Sequence, residues 1–376
     1  IECGFCEVHC PSRDLSLSPR QRITTWRELK RLEREGNDAK RTKEMELAYQ
    51  YSGIETCATD GLCATSCPVG IDTGKLIKKL RHNKQSDWTK KQADWIADNL
   101  SVVSRAARVG LALADLSGSL LGRQNIATLA KAAHRISGGR IPLWDTYLPG
   151  AATGLPSLPD LPQVLPEGQE VIYLPSCLCR TLGASADKRD RSVPQTVLAV
   201  LQKSGCSVAY PPLPESLCCG MAFDSKGFKE TGKRKLKELE KALEKATRSG
   251  EVPVLCDTSP CAHRMITELP AHLHVYDPVG FIYHFLLERL DLQPLDETVL
   301  LHPVCSVKKL GLEHQLLEIG KRCAKKAVIP DDSGCCGFAG DRGITFPELN
   351  ASALKGLREK VPEDCRKGYS SSRMCE

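Results

Sequence analysis

The sequence predicts a mixed fold, in which a helical, cysteine-rich N-terminal domain precedes two duplicated α/β units. The stretch SLCCGMAFD, which begins at Ser216, recurs as SGCCGFAGD from Ser333. Each copy follows the same alternation of short β-branched runs and helical stretches, which indicates an internal duplication. Before them, two cysteine groups end at Pro11 and Pro68. A chain of 376 residues is long enough for two or three such domains.

Composition excludes several classes of protein. No apolar run reaches the length of a membrane span, and the best candidate, VGLALADLSGSLLG from Val109, contains Asp115. The net charge is +6, but the Lys and Arg residues are interleaved with acidic residues and only 5% of residues are aromatic. Nucleic-acid binding is therefore not indicated. An odd set of 19 cysteines in a large chain rich in Lys and Glu favours metal binding in a reducing compartment, the cytoplasm, over disulfides.

The first cysteine group reads CGFCEVHCP and contains Cys3, Cys6 and Cys10 before Pro11. A bacterial ferredoxin run is C-x2-C-x2-C-x3-C-P, whose first three thiolates bind one [4Fe-4S] cube while the fourth binds a second cube. Three positions before Cys3 would lie just upstream of Ile1, so we expect a longer parent polypeptide with a cysteine there. The group predicts a ferredoxin-like domain over residues 1–82.

The second group, TCATDGLCATSCPVG, contains Cys57, Cys63 and Cys67, with Asp60 where the same template has a cysteine. A carboxylate can bind iron as a harder and more labile ligand than a thiolate. Three outcomes stay open for this group: a cube completed by Asp60, a three-iron cluster, or no cluster. A structural zinc site is a further alternative, although zinc ribbons usually use paired C-x2-C knuckles.

The crossover of two-cluster ferredoxins assigns these thiols to two sites. The first cluster takes Cys3, Cys6, the upstream cysteine and Cys67, and the second takes Cys10, Cys57 and Cys63, with Asp60 as an optional ligand.

Residues 83–168 are predicted to form helices followed by a linker. The insert RQRITTWRELKRLERE before them already shows one apolar helix face, formed by Ile23, Trp26, Leu29 and Leu32. Residues 86–137 continue with helical spacing, for which we prefer packing against a neighbouring domain and keep peripheral membrane contact as the alternative. The stretch from residue 137 to 168 is rich in Pro and Gly, as linkers are.

Residues 169–292 and 293–376 are predicted to form the two CCG units. In the first, VIYLPSC, CSVAYPP and VPVLC read as strands, with helices around VPQTVLAVLQKSG and over 226–248. In the second, TVLLHPVC and AVIP read as strands, with helices around LEHQLLEIGKRCA and over 346–360. Adjacent thiols on a loop beside a flexible glycine can both face one metal centre.

Each unit therefore offers several candidate metal ligands, and the alternative is that the paired cysteines are buried small residues. In the first unit the candidates are Cys177, Cys218, Cys219, Cys256 and Cys261. In the second unit they are Cys305, Cys335, Cys336 and Cys375.

Other residues carry less chemistry. His302 could assist proton transfer to an electron acceptor, but a lone histidine beside a strand is more often structural. The stretch GFAGDRG is not a dinucleotide fingerprint. We expect no residue of this chain to act catalytically on a substrate. The cysteines without partners in the repeat are predicted to be packing residues, and they are Cys179, Cys206, Cys323 and Cys365.

At CGFCEVHCPSRDLSLSPRQRI, TCATDGLCATSCPVGIDTG, CCGFAGDRG and SSSRMCE, the sequence resembles the iron–sulfur half of the flavin-dependent D-lactate dehydrogenases that reduce quinone or cytochrome. The CCG units look like the cysteine-rich domains of heterodisulfide reductase and of the glycolate oxidase iron–sulfur subunit. The resemblance implies an FAD-binding portion that precedes this region in the same polypeptide. It also implies that the flavin and D-lactate sites lie outside this chain.

The same resemblance implies that CCG units carry non-cubane clusters, bind zinc or stay empty. The second unit departs from the fuller pattern, because Cys375 has no C-x-x-C or C-x4-C companion. The resemblance therefore predicts an electron-relay module on the cytoplasmic side, with contact to the inner face of the cell membrane as an option. A thiol-reducing enzyme and a zinc-stapled scaffold are the alternatives.

Overall fold

The computed structural model describes residues 2–138, 141, 143–158, 168–184, 191–331, 333–373 and 375. The chain forms two compact units, each assembled from separate stretches of sequence. The first compact unit comprises Ile1–Thr89, Ala222–Lys229 and Gln293–Glu376. The second compact unit comprises Lys90–Met221 and Glu230–Leu292. The N-terminal cysteine groups thus fold together with the second CCG unit, and the helical segment folds together with the first.

Short loops and helices form the N-terminal segment. Its helices are α1 (Pro19–Glu35), α2 (Ala39–Tyr49), a π-helical turn (Gln50–Glu55), α3 (Leu62–Thr65) and α4 (Thr73–Lys84). Helix α1 starts at a capping box in which Ser18 and Gln21 bond to each other's backbone N–H groups, and it ends at Gly36 with φ 64°. Its core contacts come from Leu29 and Leu32.

The apolar face expected on α1 is shifted by one residue at its start. Arg22 is buried, whereas Ile23 is only half-buried. Arg22 lies four and seven residues before Trp26 and Leu29, so it belongs to the same face of the helix. A charged residue therefore occupies a core position in this segment.

Three helices follow, as the sequence predicts: α5 (Asp87–Asp98), α6 (Leu100–Leu121) and α7 (Arg123–Ile136). No helix among the described residues is both long and apolar enough to cross a bilayer. The linker expected from residue 137 to 168 lies partly outside the described residues. Its part over 143–158 includes an isolated bridge between Ala151 and Leu182.

The first CCG unit is built on a parallel sheet with strand order β2-β1-β3-β4. Its strands are β1 (Glu170–Leu174), β2 (Ser207–Ala209), β3 (Val254–Cys256) and β4 (Val275–Tyr276). Its helices are α8 (Cys177–Thr181), α9 (Val193–Lys203), α10 (Met221–Ser225), α11 (Lys229–Ala246), α12 (Ser259–Glu268) and α13 (Pro278–Phe281). Successive residues of β1 point to opposite faces, so Leu174 joins a core with Leu239 while Tyr173 joins another with Leu201.

The second CCG unit repeats this topology in a parallel sheet with strand order β6-β5-β7. Its strands are β5 (Leu295–His302), β6 (Ala324–Val328) and β7 (Cys365–Ser370), and its helices are α14 (Cys305–Lys309), α15 (Glu313–Cys323), α16 (Arg342–Thr345) and α17 (Pro347–Ala353). In both units the first strand is central and the next two flank it. The mixed fold class expected from the sequence is confirmed.

Two predicted helices are shorter than expected. The helix over 226–248 starts at Lys229, because Gly227 adopts φ 95° just before it. The helix over 346–360 stops at Ala353, and Gly356 with φ 76° separates it from a 3-10 turn over Arg358–Lys360. A left-handed residue cannot continue a right-handed helix, which explains both breaks.

Candidate metal centres

Cys6 interacts with a thiol from each N-terminal cysteine group. Cys6 interacts electrostatically with Cys67 and with the exposed Cys3. Backbone N–H groups of Ile71 and Val69 bond to the Cys67 sulfur and lower its pKa. Such N–H groups are the donors that stabilise thiolate ligands of iron–sulfur clusters.

The remaining three thiols form a second group. Cys57 interacts with Cys10, and Cys63 interacts with Cys57. Cys67 therefore lies with the first loop's Cys6, while Cys10 lies with the second loop. This is the same division that the crossover of two-cluster ferredoxins makes. Ligation of iron by these six thiols stays a prediction.

Asp60 lies half-buried beside the second group. Its Oδ1 accepts the Leu62 N–H at 2.7 Å, and its backbone carbonyl accepts a hydrogen bond from Lys309 Nζ at 3.1 Å. Burial raises the pKa of the Asp60 carboxyl. Burial also raises the pKa of Cys63 to about 12, and the Asp60 charge adds to that rise. One carboxylate oxygen thus fixes the loop, whether or not the other binds iron.

Two buried arginines also lie beside the second group, and no motif in the sequence identifies them. Arg22, which is 1% exposed, donates from Nη1 to Cys10 Sγ at 3.5 Å and from Nε to the Gly53 carbonyl at 2.8 Å. Arg81 donates from Nη2 to the carbonyl oxygens of Ile54 and Cys57, each at 2.8 Å. The one sequence signal is the position of Arg22 on the apolar face of α1.

This arrangement fits a negatively charged group held by Cys10, Cys57 and Cys63. Burial alone would lower the pKa of Arg22, but the neighbouring Cys57 and Cys10 sulfurs outweigh it and raise that pKa. A buried cation requires a nearby anion, because an unpaired charge is costly to take out of water. Thiolates bound to iron and sulfide supply that anionic environment.

The five candidate thiols of the first CCG unit form one continuous cluster. Cys218 interacts with Cys177 and Cys219, while Cys261 interacts with Cys219 and Cys256. The Cys218 thiol and burial raise the pKa of Cys177.

Local backbone geometry explains how adjacent cysteines reach this cluster. Gly220 adopts φ 77° directly after Cys219, and its N–H bonds to Cys218 Sγ at 3.3 Å. Cys177 begins the short helix α8, and the buried Arg180 on the same helix donates to the Leu217 carbonyl at 2.6 Å. The turn and the helix bring distant parts of the sequence to one set of sulfurs.

The second CCG unit repeats the geometry with four thiols. Gly337 also adopts φ 77°, and its N–H bonds to Cys335 Sγ at 3.4 Å. Cys335 interacts with Cys305 and Cys336, and Cys336 Sγ lies 3.6 Å from Cys375 Sγ. The Cys335 and Cys375 thiols lower the pKa of Cys336.

This second cluster contacts the loop that carries Asp60. Ala58 and Leu62 pack directly on Cys335, with Cys305 and Ala339 around them. The second N-terminal group and the second CCG cluster are therefore separated by only a few apolar side chains.

No three Cys, His or carboxylate side chains in the described ranges converge on a point where one metal ion could sit. A structural zinc ion needs four such convergent donors. In a [4Fe-4S] cube the thiolates bind different irons, so they need not converge on one point. The thiol clusters described above supply the type of donor that iron–sulfur centres use.

His302 lines a cavity of about 240 Å³ together with Cys10 and Cys335. Both ring nitrogens are buried and have no hydrogen-bond partner among the described residues. Burial lowers the pKa of this imidazole. A role for His302 in proton transfer stays a prediction.

The four cysteines expected to be packing residues lie apart from these clusters. Cys179 contacts Thr258 Oγ1 at 3.6 Å, and Cys206 contacts Ser204 Oγ at 3.4 Å. Cys365 donates to the Lys367 carbonyl at 3.3 Å. Cys323 is half-buried at the end of α15.

Comparisons with known families give two matches. Residues 1–71 match the 4Fe-4S dicluster domain, and residues 171–263 match the cysteine-rich domain. No solved structure matches the chain. These matches cover the segments in which we find the N-terminal thiol groups and the first CCG cluster.

Curated relatives include iron–sulfur and dehydrogenase subunits. One of the subunits of the anaerobic glycerol-3-phosphate dehydrogenase of Escherichia coli (strain K12) is 25% identical over 190 residues, which are 45% of this chain and 48% of that protein. The chain thus spans about half the length of that relative. The probable glycolate oxidase iron–sulfur subunit of Bacillus subtilis (strain 168) is 24% identical over 394 residues, covering 94% of this chain and 81% of that protein.

Lactate utilization protein A of Oceanobacillus iheyensis is 26% identical over 183 residues, which are 44% of this chain and 71% of that protein. Together these matches confirm the resemblance at the level of iron–sulfur subunits of oxidoreductases.

Proposed function

We propose that this chain is the electron-transfer portion of an FAD-dependent D-2-hydroxy-acid dehydrogenase, with D-lactate as the substrate. The observation that carries the proposal is that the six N-terminal thiols form two groups, each with members from both cysteine loops. Cys67 lies with Cys3 and Cys6, and Cys10 lies with Cys57 and Cys63. The similarity to a glycolate oxidase iron–sulfur subunit over 94% of the chain supports it. FAD and the substrate site lie in sequence outside this chain.

In this function the chain's residues hold and bury the redox groups. Iron–sulfur clusters, when bound, take up and release single electrons. Cys3, Cys6 and Cys67 hold one cluster, while Cys10, Cys57 and Cys63 hold the other. The nine candidate thiols of the CCG units hold non-cubane clusters.

Partners follow from the same proposal. The FAD-binding portion delivers electrons and a quinone or cytochrome receives them, on the cytoplasmic side or at the inner face of the cell membrane. Helix α6 supports a contact of this kind, because Val109, Leu113, Leu116 and Leu120 are each at least 58% exposed. Such a stripe suits a neighbouring domain or a membrane surface.

A second candidate function is a thiol-reducing activity at the first CCG unit. The continuous cluster from Cys177 to Cys256 favours it, because two neighbouring thiols could reduce a disulfide substrate while they are oxidised to a disulfide themselves, which an external dithiol then reduces. This function needs Cys261 and Cys219 but not the N-terminal thiols.

The test is lactate-dependent reduction of a quinone analogue by the parent protein. We expect Cys6→Ser to abolish quinone reduction while flavin reduction by D-lactate persists, because only the relay is interrupted. Cys206→Ser, a buried cysteine outside the clusters, is the matched control and should keep activity.

Retained quinone reduction in Cys6→Ser would exclude the relay. Loss of a disulfide-reducing activity in Cys261→Ser, with no lactate dependence in the wild type, would favour the second candidate. Iron, zinc and sulfide are quantified after anaerobic purification, and zinc alone would contradict both functions.

A further inference from the structure

Arg22 is a cation enclosed within the N-terminal segment. Its three donor nitrogens contact Gly53, Ser12, Thr56 and Cys10, at 2.8 Å, 2.8 Å, 3.3 Å and 3.5 Å in that order. Of these partners only the Cys10 sulfur can carry a negative charge. Within the described part of the chain, no carboxylate pairs with Arg22.

A second cation reinforces this environment. The Arg81 guanidinium is 5% exposed and donates to the carbonyl oxygen of Cys57. The thiol group formed by Cys10, Cys57 and Cys63 therefore has two buried positive charges beside it.

The other thiol group has a different electrostatic environment. Cys3 is exposed, and Glu7 adds negative charge near Cys6. Arg20 pairs with Glu7, with its Nε 3.0 Å from the carboxylate, so the two charges largely cancel. Solvent screens charges at this more exposed site better than at the buried one.

We propose that Arg22 raises the reduction potential of the cluster held by Cys10, Cys57 and Cys63 above that of the cluster held by Cys3, Cys6 and Cys67. The proposal rests on the proposed function, since it requires both clusters. A reduced cluster carries one more negative charge than an oxidised one. A buried cation with a hydrogen bond to a ligand sulfur stabilises the reduced state more, and this raises the potential.

Arg22 acts through Cys10 and is a positioning residue rather than a catalytic one. Because the raised potential favours reduction of the cluster in the second group, electrons collect there. This is also the group that packs through Ala58 and Leu62 on Cys335. A merely structural arginine would hold the loops together without setting this order.

The test is a potentiometric titration of the parent protein with reconstituted clusters, followed by electron paramagnetic resonance. Arg22→Met removes the charge and the hydrogen bond to sulfur. We expect one of the two N-terminal signals to shift to lower potential while the other stays. Arg22→Lys retains a charge without the planar guanidinium, so we expect a smaller shift in the same direction.

Arg34→Met is the matched control. It removes the same charge from the same helix at an exposed position, where Arg34 donates to the Lys30 carbonyl and, within the described residues, to no other group. We expect both potentials to match those of the wild type.

Arg81→Met provides an independent neutralisation at the same group if Arg22→Met fails to fold. Iron and sulfide contents separate the outcomes. A wild-type parent protein without clusters overturns the proposed function, and this inference with it. If the variants retain their clusters and neither reduction potential shifts downward, the inference alone is overturned.

Discussion

The two CCG units have the same topology but differ in how they are supported. Both place a central strand before a short helix that begins with a cysteine, and both bond a glycine N–H to the first sulfur of the pair. The first CCG unit has five clustered thiols and cores on both faces of its sheet. The second has four thiols, a small core around Val299, and direct contacts with the N-terminal segment.

The comparison teaches that the geometry of the CCG turn is independent of the size of the surrounding core. Gly220 and Gly337 adopt the same φ, although the first CCG unit has many more buried apolar side chains than the second. The second unit instead obtains part of its packing from residues near the start of the chain.

The largest expected effect is the loss of a whole cluster from the second unit. Four thiols leave no spare ligand, so Cys305→Ser should remove the iron of that unit. Cys256→Ser leaves four thiols in the first CCG unit, as many as the second CCG unit has in total, and should retain most of its iron. Iron and sulfide analysis of anaerobically purified variants measures the difference, and equal losses would show that the first unit needs all five thiols.

Substitution of the two CCG glycines should give the next largest effect. A methyl group at Gly220 would overlap the Gly232 carbonyl oxygen, whereas at Gly337 the nearest atom is the Leu349 carbonyl oxygen at 2.9 Å. A non-glycine residue at this φ costs about 1–2 kcal/mol, and overpacking adds about 1–3 kcal/mol. Gly220→Ala should therefore destabilise the chain more than Gly337→Ala in urea unfolding. The reverse order would contradict the greater crowding of the first turn.

Core truncation should also distinguish the units. Leu201 on α9 is 0% exposed, while the corresponding helix α15 presents the half-buried Leu316. Leu201→Ala should lower the free energy of unfolding by about 3 kcal/mol. Leu316→Ala should lower it by about 1 kcal/mol, because less apolar surface is buried. Chemical denaturation followed by circular dichroism measures both values, and similar losses would mean that the second core is tighter than its exposure indicates.

The smallest effect concerns the contact between the second unit and the Asp60 loop. Lys309→Met removes the hydrogen bond to the Asp60 carbonyl and should cost about 1 kcal/mol. Lys321→Met, which breaks an exposed pair with Glu318, is the control and should change stability by less than about 0.5 kcal/mol. Thermal unfolding compares the two variants, and equal shifts would show that the Lys309 contact contributes no more than a surface pair.

Much of the fold follows from the sequence because its signals are local. β-branched runs and helical periodicity predict β1, β3, β5, α9 and α15 near their observed positions. Strand β7 escapes such prediction, because CRKGYS is mostly exposed and has no alternating apolar residues. Strand β4 has only two residues, too few for any periodic signal.

The thiol groups could be predicted from spacing, but their electrostatic surroundings could not. Arg22 lies in a stretch dense with Lys, Arg and Glu, where an arginine is normally solvent-exposed. Its burial depends on Cys10 and Ser12 from a loop without regular structure, and on Gly53 from the π-helical turn. Long-range loop packing leaves no periodic pattern in the sequence.

The first compact unit joins Ile1–Thr89 with Gln293–Glu376, which has a consequence for biosynthesis. A ribosome releases the N-terminal cysteines long before strand β7 and Cys375 emerge. The early segment cannot complete its packing until translation of Gln293–Glu376 supplies the stretch that folds with it. The order of synthesis therefore leaves the N-terminal thiols without the residues they fold with for most of the time that the chain is being made.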